Sequence, residues 1–395
     1  MTAPAGGNLA ARMGRWSAQH RKKAIWGWLA LVILAFAIGG AVGTETQTAA
    51  QSGVGESGDA ARTLDDSFPK HQVEQVLIQN DSVTATDRSF RAVVDSTQHR
   101  LSAVPYTQAF ESPYASGNVG QISADGHSAL LRFEIAGDET EASDRVGATL
   151  DATSAAQAAN PDFVVEQVGD ASVNKQLNDS ISDDFKQAFA TSLPITLVIL
   201  LVAFGALVAA SVPIILALTA VLATMGIIGV LSHISPVDQS INEVILLIGL
   251  AVGVDYSMFY LRRAREERES GRSEEASLAA AAATSGRAVL VSGLTVMLAM
   301  AGMYLGGAPT FTSFATGTIL VVGVAMVGSL TVLPALLAWL GDRVEKGGVP
   351  IIRKMPWNAT ERGLWSRILN PVLRHPLVSA VAAAALLVVL AIPAF

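Results

Sequence analysis

Asp255 is the residue in this sequence whose position calls for a chemical reason. It stands in Val244–Leu261, a stretch with no other charged side chain. On an α-helix it lies about 16 Å along the axis from Val244, close to the middle of a hydrocarbon core about 30 Å thick or slightly inward of it. A carboxylate at the centre of a membrane helix costs roughly 2.5–3.5 kcal/mol on the insertion scale, so an acid kept there is functional by default. Withdrawn from water, a carboxyl is poised between its charged and neutral forms, and it can carry a proton or hold a sodium ion. Tyr256 follows with a hydroxyl. Adjacent helical residues point about 100° apart, so each of the two addresses its own partner. Gly249 and Gly253, four apart, permit the close approach of another helix. That stripe is read as placing Asp255 toward a bundle interior rather than toward lipid. The plainer alternatives are ordinary span composition for the glycines and a structural contact between helices for Asp255.

No other chemistry finds the residues it needs. The chain has no cysteine, which excludes disulfides, thiolate metal sites and a cysteine nucleophile. Gly53–Gly58 matches G-x-G-x-x-G, but no strand precedes it and no apolar helix follows, so it reads as a flexible linker. There is no Walker-type loop, no H-E-x-x-H and no G-x-S-x-G, and the six histidines are scattered without ligand spacing. An enzyme is therefore not expected, nor a bound cofactor or metal. A nucleic-acid binder would gather its basic groups on one surface; here they flank apolar runs.

The elements that must position Asp255 are membrane helices. The 395 residues are 51% hydrophobic and 15% charged, against roughly 25% charged in soluble domains. Ala24–Val42, Ala288–Gly307 and Leu377–Phe395 contain no Asp, Glu, Lys or Arg, and runs of this length read as membrane spans. Seven spans are expected: Ala24–Gly43, Ala188–Ala210, Ser211–Ile234, Ile241–Leu261, Ala288–Gly307, Phe314–Gly341 and Leu377–Phe395. The second and third meet in a tight turn at Ala210–Pro213. Pro194 and Pro334 lie inside spans, where neighbouring helices can satisfy the freed backbone groups. Residues 44–187 carry a net −14 and the rest of the chain +7. Lysine and arginine near span ends mark the cytoplasmic side. They cluster at Arg12–Lys23, Arg262–Arg272 and Arg343–Arg374, and are absent from the loops after spans three and five. This orients a multi-pass protein of the cell membrane with a cytoplasmic N-terminus. The apolar run of the first span is longer than that of a signal peptide, so a retained anchor is expected.

The chain then divides into a basic cytoplasmic tail (1–23), the first span (24–43), an extracytoplasmic domain (44–187), a bundle of five spans (188–341), a cytoplasmic linker (342–376) and the seventh span (377–395). In the outside domain, 44–66 reads as a linker. Val73–Gln79, Thr107–Ser112, Ser128–Ile135 and Phe163–Val168 read as strands, and Asp87–Val104 and Glu141–Ala159 as helices. Asp87 is the expected N-cap of the first, and Phe90, Val93, Val94 and Leu101 share one face. The order β-α-β-β-α-β is that of a ferredoxin-like α+β unit. Asp170–Phe189 reads as a helix leading into the second span, either continuous with it or broken by a short connector.

The run Gly249-Leu250-Ala251-Val252-Gly253-Val254-Asp255-Tyr256-Ser257-Met258-Phe259, followed by Arg262, Arg263, Arg265, Glu266 and Glu267, resembles the fourth-span signature of MMPL transporters, in the resistance–nodulation–division superfamily. One span, a large outside domain and five further spans resemble the N-terminal half of such a protein. The resemblance implies an exporter of lipids or other hydrophobic or amphipathic molecules, driven by the proton gradient, with Asp255 and Tyr256 as its proton relay. It implies a second half bearing another Asp–Tyr pair, so the chain is expected to be part of a longer transporter. The rival is a natural half-transporter pairing with a second copy or a partner. Two other readings stand beside export: a Sec-associated protein-export subunit of the same superfamily, and a lipid-sensing membrane scaffold that transports nothing.

Overall fold

The computed structural model describes residues 9–68, 71–118, 120–345 and 371–391. It separates into two compact units. The larger comprises Met1–Ile195 with Pro213–Trp339, the smaller Thr196–Val212 with Leu340–Phe395.

The chain begins with α1 (Leu9–Gln19) and α2 (Arg21–Val42), separated by His20 alone. Two short helices follow, α3 (Ala49–Ser52) and α4 (Gly55–Ser67), where the sequence reads as a linker. The signal missed there is a capping box: the Thr48 side chain accepts from the Gln51 amide while the Gln51 side chain accepts from the Thr48 amide.

The α+β domain runs β1 (His71–Gln79), α5 (Arg88–Ser102), β2 (Thr107–Glu111), β3 (Ser128–Ala136), α6 (Glu139–Ala159) and β4 (Val164–Gly169). The strands form one sheet in the order β2-β3-β1-β4, every pair antiparallel, with Val76 opposite Leu131 in the central pair. In β3, buried and part-exposed residues alternate without a break. Side chains alternate between faces along a strand, so one sheet face packs Val76, Ile78, Leu131, Phe133, Ile135 and Val165 against Phe90, Val93, Val94 and Leu101 of α5 and Ala142, Val146 and Ala156 of α6. Asp87 occupies the N-cap position of α5, but its carboxylate reaches back to accept from the Thr84 amide (2.8 Å) and hydroxyl (3.0 Å) instead of capping the helix.

From Asp170 one unbroken helix, α7 (Asp170–Phe204), runs 35 residues, about 52 Å. Of the two readings of this junction the continuous one holds. Its first turn is secured by Glu74, a fully buried residue of β1. The Glu74 carboxylate accepts from the Ser172 amide at 3.0 Å and from Gln167 Nε2 at 2.8 Å. Gln167 in turn donates to Thr149 Oγ1 and accepts from Thr153 Oγ1, each at 2.9 Å. A free helix N-terminus leaves amides unpaired, and here a strand residue of the sheet supplies the acceptor.

The apolar part continues with α8 (Leu207–Ser232), α9 (Ile241–Glu269), α10 (Glu274–Ala301, extended by a 3₁₀ turn at Gly302–Gly306), α11 (Pro309–Val327), a π-helical turn at Gly328–Val332, α12 (Leu333–Leu340) and α13 (Pro376–Ala391). Among the described residues six helices are long and apolar enough to cross a membrane: α2, α7, α8, α9, α10 with its extension, and α11 through α12. The turn between the second and third of these falls at Gly205, not at Ala210–Pro213. Gly205 has φ +67°, a left-handed conformation that glycine adopts without strain, and Pro213 lies inside α8. The run read as a seventh span is α13, shorter at 16 residues; positions 392–395 lie outside the described residues, as do 346–370 of the linker.

Glycines let α2 and α8 approach closely. Gly39 of α2 lies against the Gly226 backbone of α8, and Gly226 against the carbonyl of Ala35. Nearby, Trp28 Nε1 donates to Thr219 Oγ1 at 3.0 Å. Beyond α2, Gln47 Nε2 donates to the Pro236 carbonyl (2.8 Å) and to Ser313 Oγ (3.1 Å), which ties the chain leaving the first span to the α8–α9 loop and to α11. At the opposite end α9 continues to Glu269. There Glu267, with a 9% exposed side chain, pairs with Arg263 and Arg272, and Arg268 pairs with Glu274. The Arg262–Arg272 segment is thus laced by ion pairs.

Candidate functional site

Asp255, Tyr256 and Ser257 follow one another on α9 and point in three directions. The arithmetic starts from the glycines. Gly249 and Gly253 stand about 40° apart around the helix, and Asp255 about 200° beyond Gly253. A Cβ at Gly249 would meet Val221 of α8 at 2.6 Å and Val321 of α11 at 2.5 Å, and one at Gly253 would meet Ala217 of α8 at 2.8 Å. The glycine side of α9 is therefore the packed side, and Asp255 lies on the other. It belongs to the exposed stripe Leu247, Ala251, Asp255 and Phe259, in which Leu247 is 64% and Phe259 55% exposed. The reading that the glycine stripe turns Asp255 into the bundle does not describe this chain: six residues is not a whole number of helical turns. Among the described residues Asp255 has no ion-pair partner.

Tyr256 points inward and is 5% exposed. Its hydroxyl lies against α10, 3.4 Å from where a Gly293 Cβ would stand. Ser292 is its polar neighbour, yet no well-formed hydrogen bond reaches it among the described residues. Ser257 is fully buried. Its hydroxyl donates to the Gly253 carbonyl at 2.8 Å and lies 3.5 Å from Ser329 Oγ, itself 1% exposed. Ser329 belongs to the π-helical turn. That turn precedes Pro334, which has no N–H to return to Leu330, so the backbone widens where the proline interrupts its ladder. The hydroxyls of Ser292 and Ser329 carry no motif, and Ser257, though within the signature run, was given no role by sequence reasoning; Pro334 is the sign of irregularity beside them.

Chemically, the arrangement is a carboxylate on an apolar face with a buried phenol and two buried serines behind it. An acid so placed can take up and release a small cation, and its charge state changes the polarity of the face it occupies. No group of three or more His, Cys, Asp or Glu among the described residues could hold a metal ion.

The MMPL family model matches residues 52–379. The mycolic acid-containing lipids exporter MmpL11 of Mycolicibacterium smegmatis is 39% identical over 228 residues, 58% of this chain and 24% of that protein. The heme uptake protein MmpL11 of Mycobacterium tuberculosis H37Rv is 37% identical over 251 residues, 64% of this chain and 26% of that protein. The membrane protein YdfJ of Bacillus subtilis is 25% identical over 388 residues, covering 96% of this chain and 51% of its own length. The chain thus spans about a quarter of the MmpL11 proteins in these alignments and half of YdfJ. A solved SecDF structure in its super-membrane-facing form superimposes with a TM-score of 0.42 and 13% identity, over 83% of this chain and 39% of that one. On the family match and its six apolar helices, the chain belongs to the MMPL family and is a multi-pass membrane protein.

Proposed function

We propose that this chain is the N-terminal half of an exporter that moves lipids or other hydrophobic or amphipathic molecules across the cytoplasmic membrane, driven by the proton-motive force. The observation that carries the reading is Asp255: a carboxylate without an ion-pair partner among the described residues, midway along an apolar helix and next in sequence to the buried Tyr256. Membership of a family whose relatives include a named lipid exporter supports the substrate class. Asp255 takes up a proton from the outer side and releases it inward, and Tyr256 with the serines behind it senses the change. The exposed stripe through Asp255 is where a second half, or a second copy, covers the carboxylate; a bare ionised acid against acyl chains is not a stable end state. The β-α-β-β-α-β unit serves as a ferredoxin-like porter domain, α13 begins the seventh span, and the N-terminus is cytoplasmic.

The test is Asp255→Asn in the full-length protein, reconstituted in vesicles with an imposed proton gradient. Gradient-dependent lipid export is expected to disappear while the folded protein is recovered at the wild-type level. Unchanged export would remove Asp255 from the mechanism. A defect in protein secretion with lipid export intact would favour the Sec-type reading instead.

A further inference from the structure

Helix α1 has two unlike faces. Ala10, Ala11, Gly14 and Ser17 are buried. Ala10 lies 3.2 Å from where a Gly286 Cβ would stand, Gly14 faces Ala282, and the Ser17 hydroxyl donates to the Thr331 carbonyl. These contacts lay α1 along the ends of the fifth and sixth apolar helices. They also set its depth, because Gly286 immediately precedes Arg287 and the charge-free run Ala288–Gly307. The helix therefore lies where hydrocarbon gives way to headgroups. Arg21, at the join to α2, is held there by a bond from Nη1 to the Ala338 carbonyl at 2.9 Å.

The outward face divides again. Leu9 (58% exposed) and Trp16 (51%) form an apolar edge, and Trp16 is stiffened by stacking on His20, with ring centroids 5.4 Å apart. Arg12 and Arg15 form a cationic edge and are exposed, as are Arg21, Lys22 and Lys23. From Leu9 to Trp28 there are five cations and no acid. Among the acids on the packed helix α10, Glu274 is paired with Arg268 at 3.2 Å. Glu275 lines a cavity of about 300 Å³ together with Arg15. Even with Glu275 set against one cation the face keeps a surplus of four. A helix with apolar and aromatic groups on one edge and arginines on the other, lying at the boundary, matches a leaflet of anionic lipid: tails take the first edge and headgroups the second.

We infer that the outward face of α1, with Arg21–Lys23, is a docking surface for anionic phospholipid of the leaflet at which it lies. The inference is independent of the transport reading and would hold for a chain that exports nothing. Because α1 packs on Gly286 and on the π-helical turn, a lipid seated here braces the helices that carry Tyr256's and Ser257's neighbours.

The experiment exposes the purified full chain in detergent to an equal mixture of phosphatidylglycerol and phosphatidylcholine and measures the ratio retained. The wild type is expected to retain phosphatidylglycerol in excess, and Arg12→Gln/Arg15→Gln to lower that preference about tenfold or more. This variant keeps Arg21, Lys22 and Lys23, so the charge that orients the first span is preserved. An unchanged preference would overturn the proposal, and so would displacement of the lipid by inorganic phosphate, which marks a simple anion site. A second readout does not depend on that variant: brominated phosphatidylglycerol is expected to quench the tryptophan emission of the wild type more than that of Trp16→Phe. Equal quenching in the two proteins also overturns it.

Discussion

Single residues in this protein are decided by which way a helix turns them. Asp255 and Gly253 are two apart in sequence yet lie on nearly opposite sides of α9, so the close packing that the glycines permit does nothing to bury the acid. The acid itself was legible as a lone charge in an apolar run; its direction was not. Glycines that look equivalent in sequence also separate by contact. Gly226 meets the backbone of Ala35, whereas a Cβ at Gly40 meets nothing within 4 Å. Gly226→Val is therefore expected to lower stability by about 1–3 kcal/mol or more, and Gly40→Ala to be nearly neutral, as read from thermal denaturation midpoints in detergent. In the α+β domain, burial raises the pKa of Tyr114, Arg91 over its ring lowers it in part and Asp95 adds to the rise. The hydroxyl donates to the Ala85 carbonyl at 2.9 Å. The folded state thus holds this proton more tightly than the unfolded state. Its contribution is fully present below the ordinary tyrosine range and is lost as pH rises through the folded value. Tyr114→Phe is expected to flatten that part of the alkaline decline in stability.

At the scale of elements, the sheet is hydrogen-bonded to the start of α7. Glu74 joins β1 to the first turn of α7, and α7 runs unbroken into the apolar region. Glu74→Ala leaves the Ser172 amide and the Gln167 side chain without their acceptor, at a cost of about 1–3 kcal/mol. The expected result is faster hydrogen exchange in the first turn of α7, with β2 and β3 little changed; uniform loss of protection across the domain would show that Glu74 is merely a core residue. The strands and helices of this domain were visible as patterns, since alternation in β3 and the apolar face of α5 are local properties. The α3–α4 segment was not, because one capping box within a Gly- and Ser-rich stretch is a weak signal beside its composition. The turn at Gly205 was misplaced for a related reason: Pro213 is the louder residue, and Gly205 acts through a backbone angle that no side chain announces.

At the scale of the molecule, the sign and position of charge organise the chain. The proposed topology places residues 44–187 outside and the Arg262–Arg272 segment inside. Since the protein has no cysteine, single substitutions report without background. Ser116→Cys and Ser270→Cys both lie at exposed positions. A membrane-impermeant maleimide is expected to label the first in intact cells and the second only after permeabilisation; the reverse pattern would invert the topology.

Periodicity, hydropathy and residue type by themselves determined the apolar helices, the alternating strands, the charge layout and the presence of one acid within the apolar run of α9, because each is a property of residues near one another in the chain. Tertiary structure alone decided which side of α9 the acid occupies relative to its neighbours, that Ser257 and Ser329 meet across 72 residues, that a buried glutamate of β1 secures α7, and that α1 lies against the fifth and sixth apolar helices. Each of these depends on which helix face packs against which partner. That is set by the fit of distant small residues, and no local pattern encodes it.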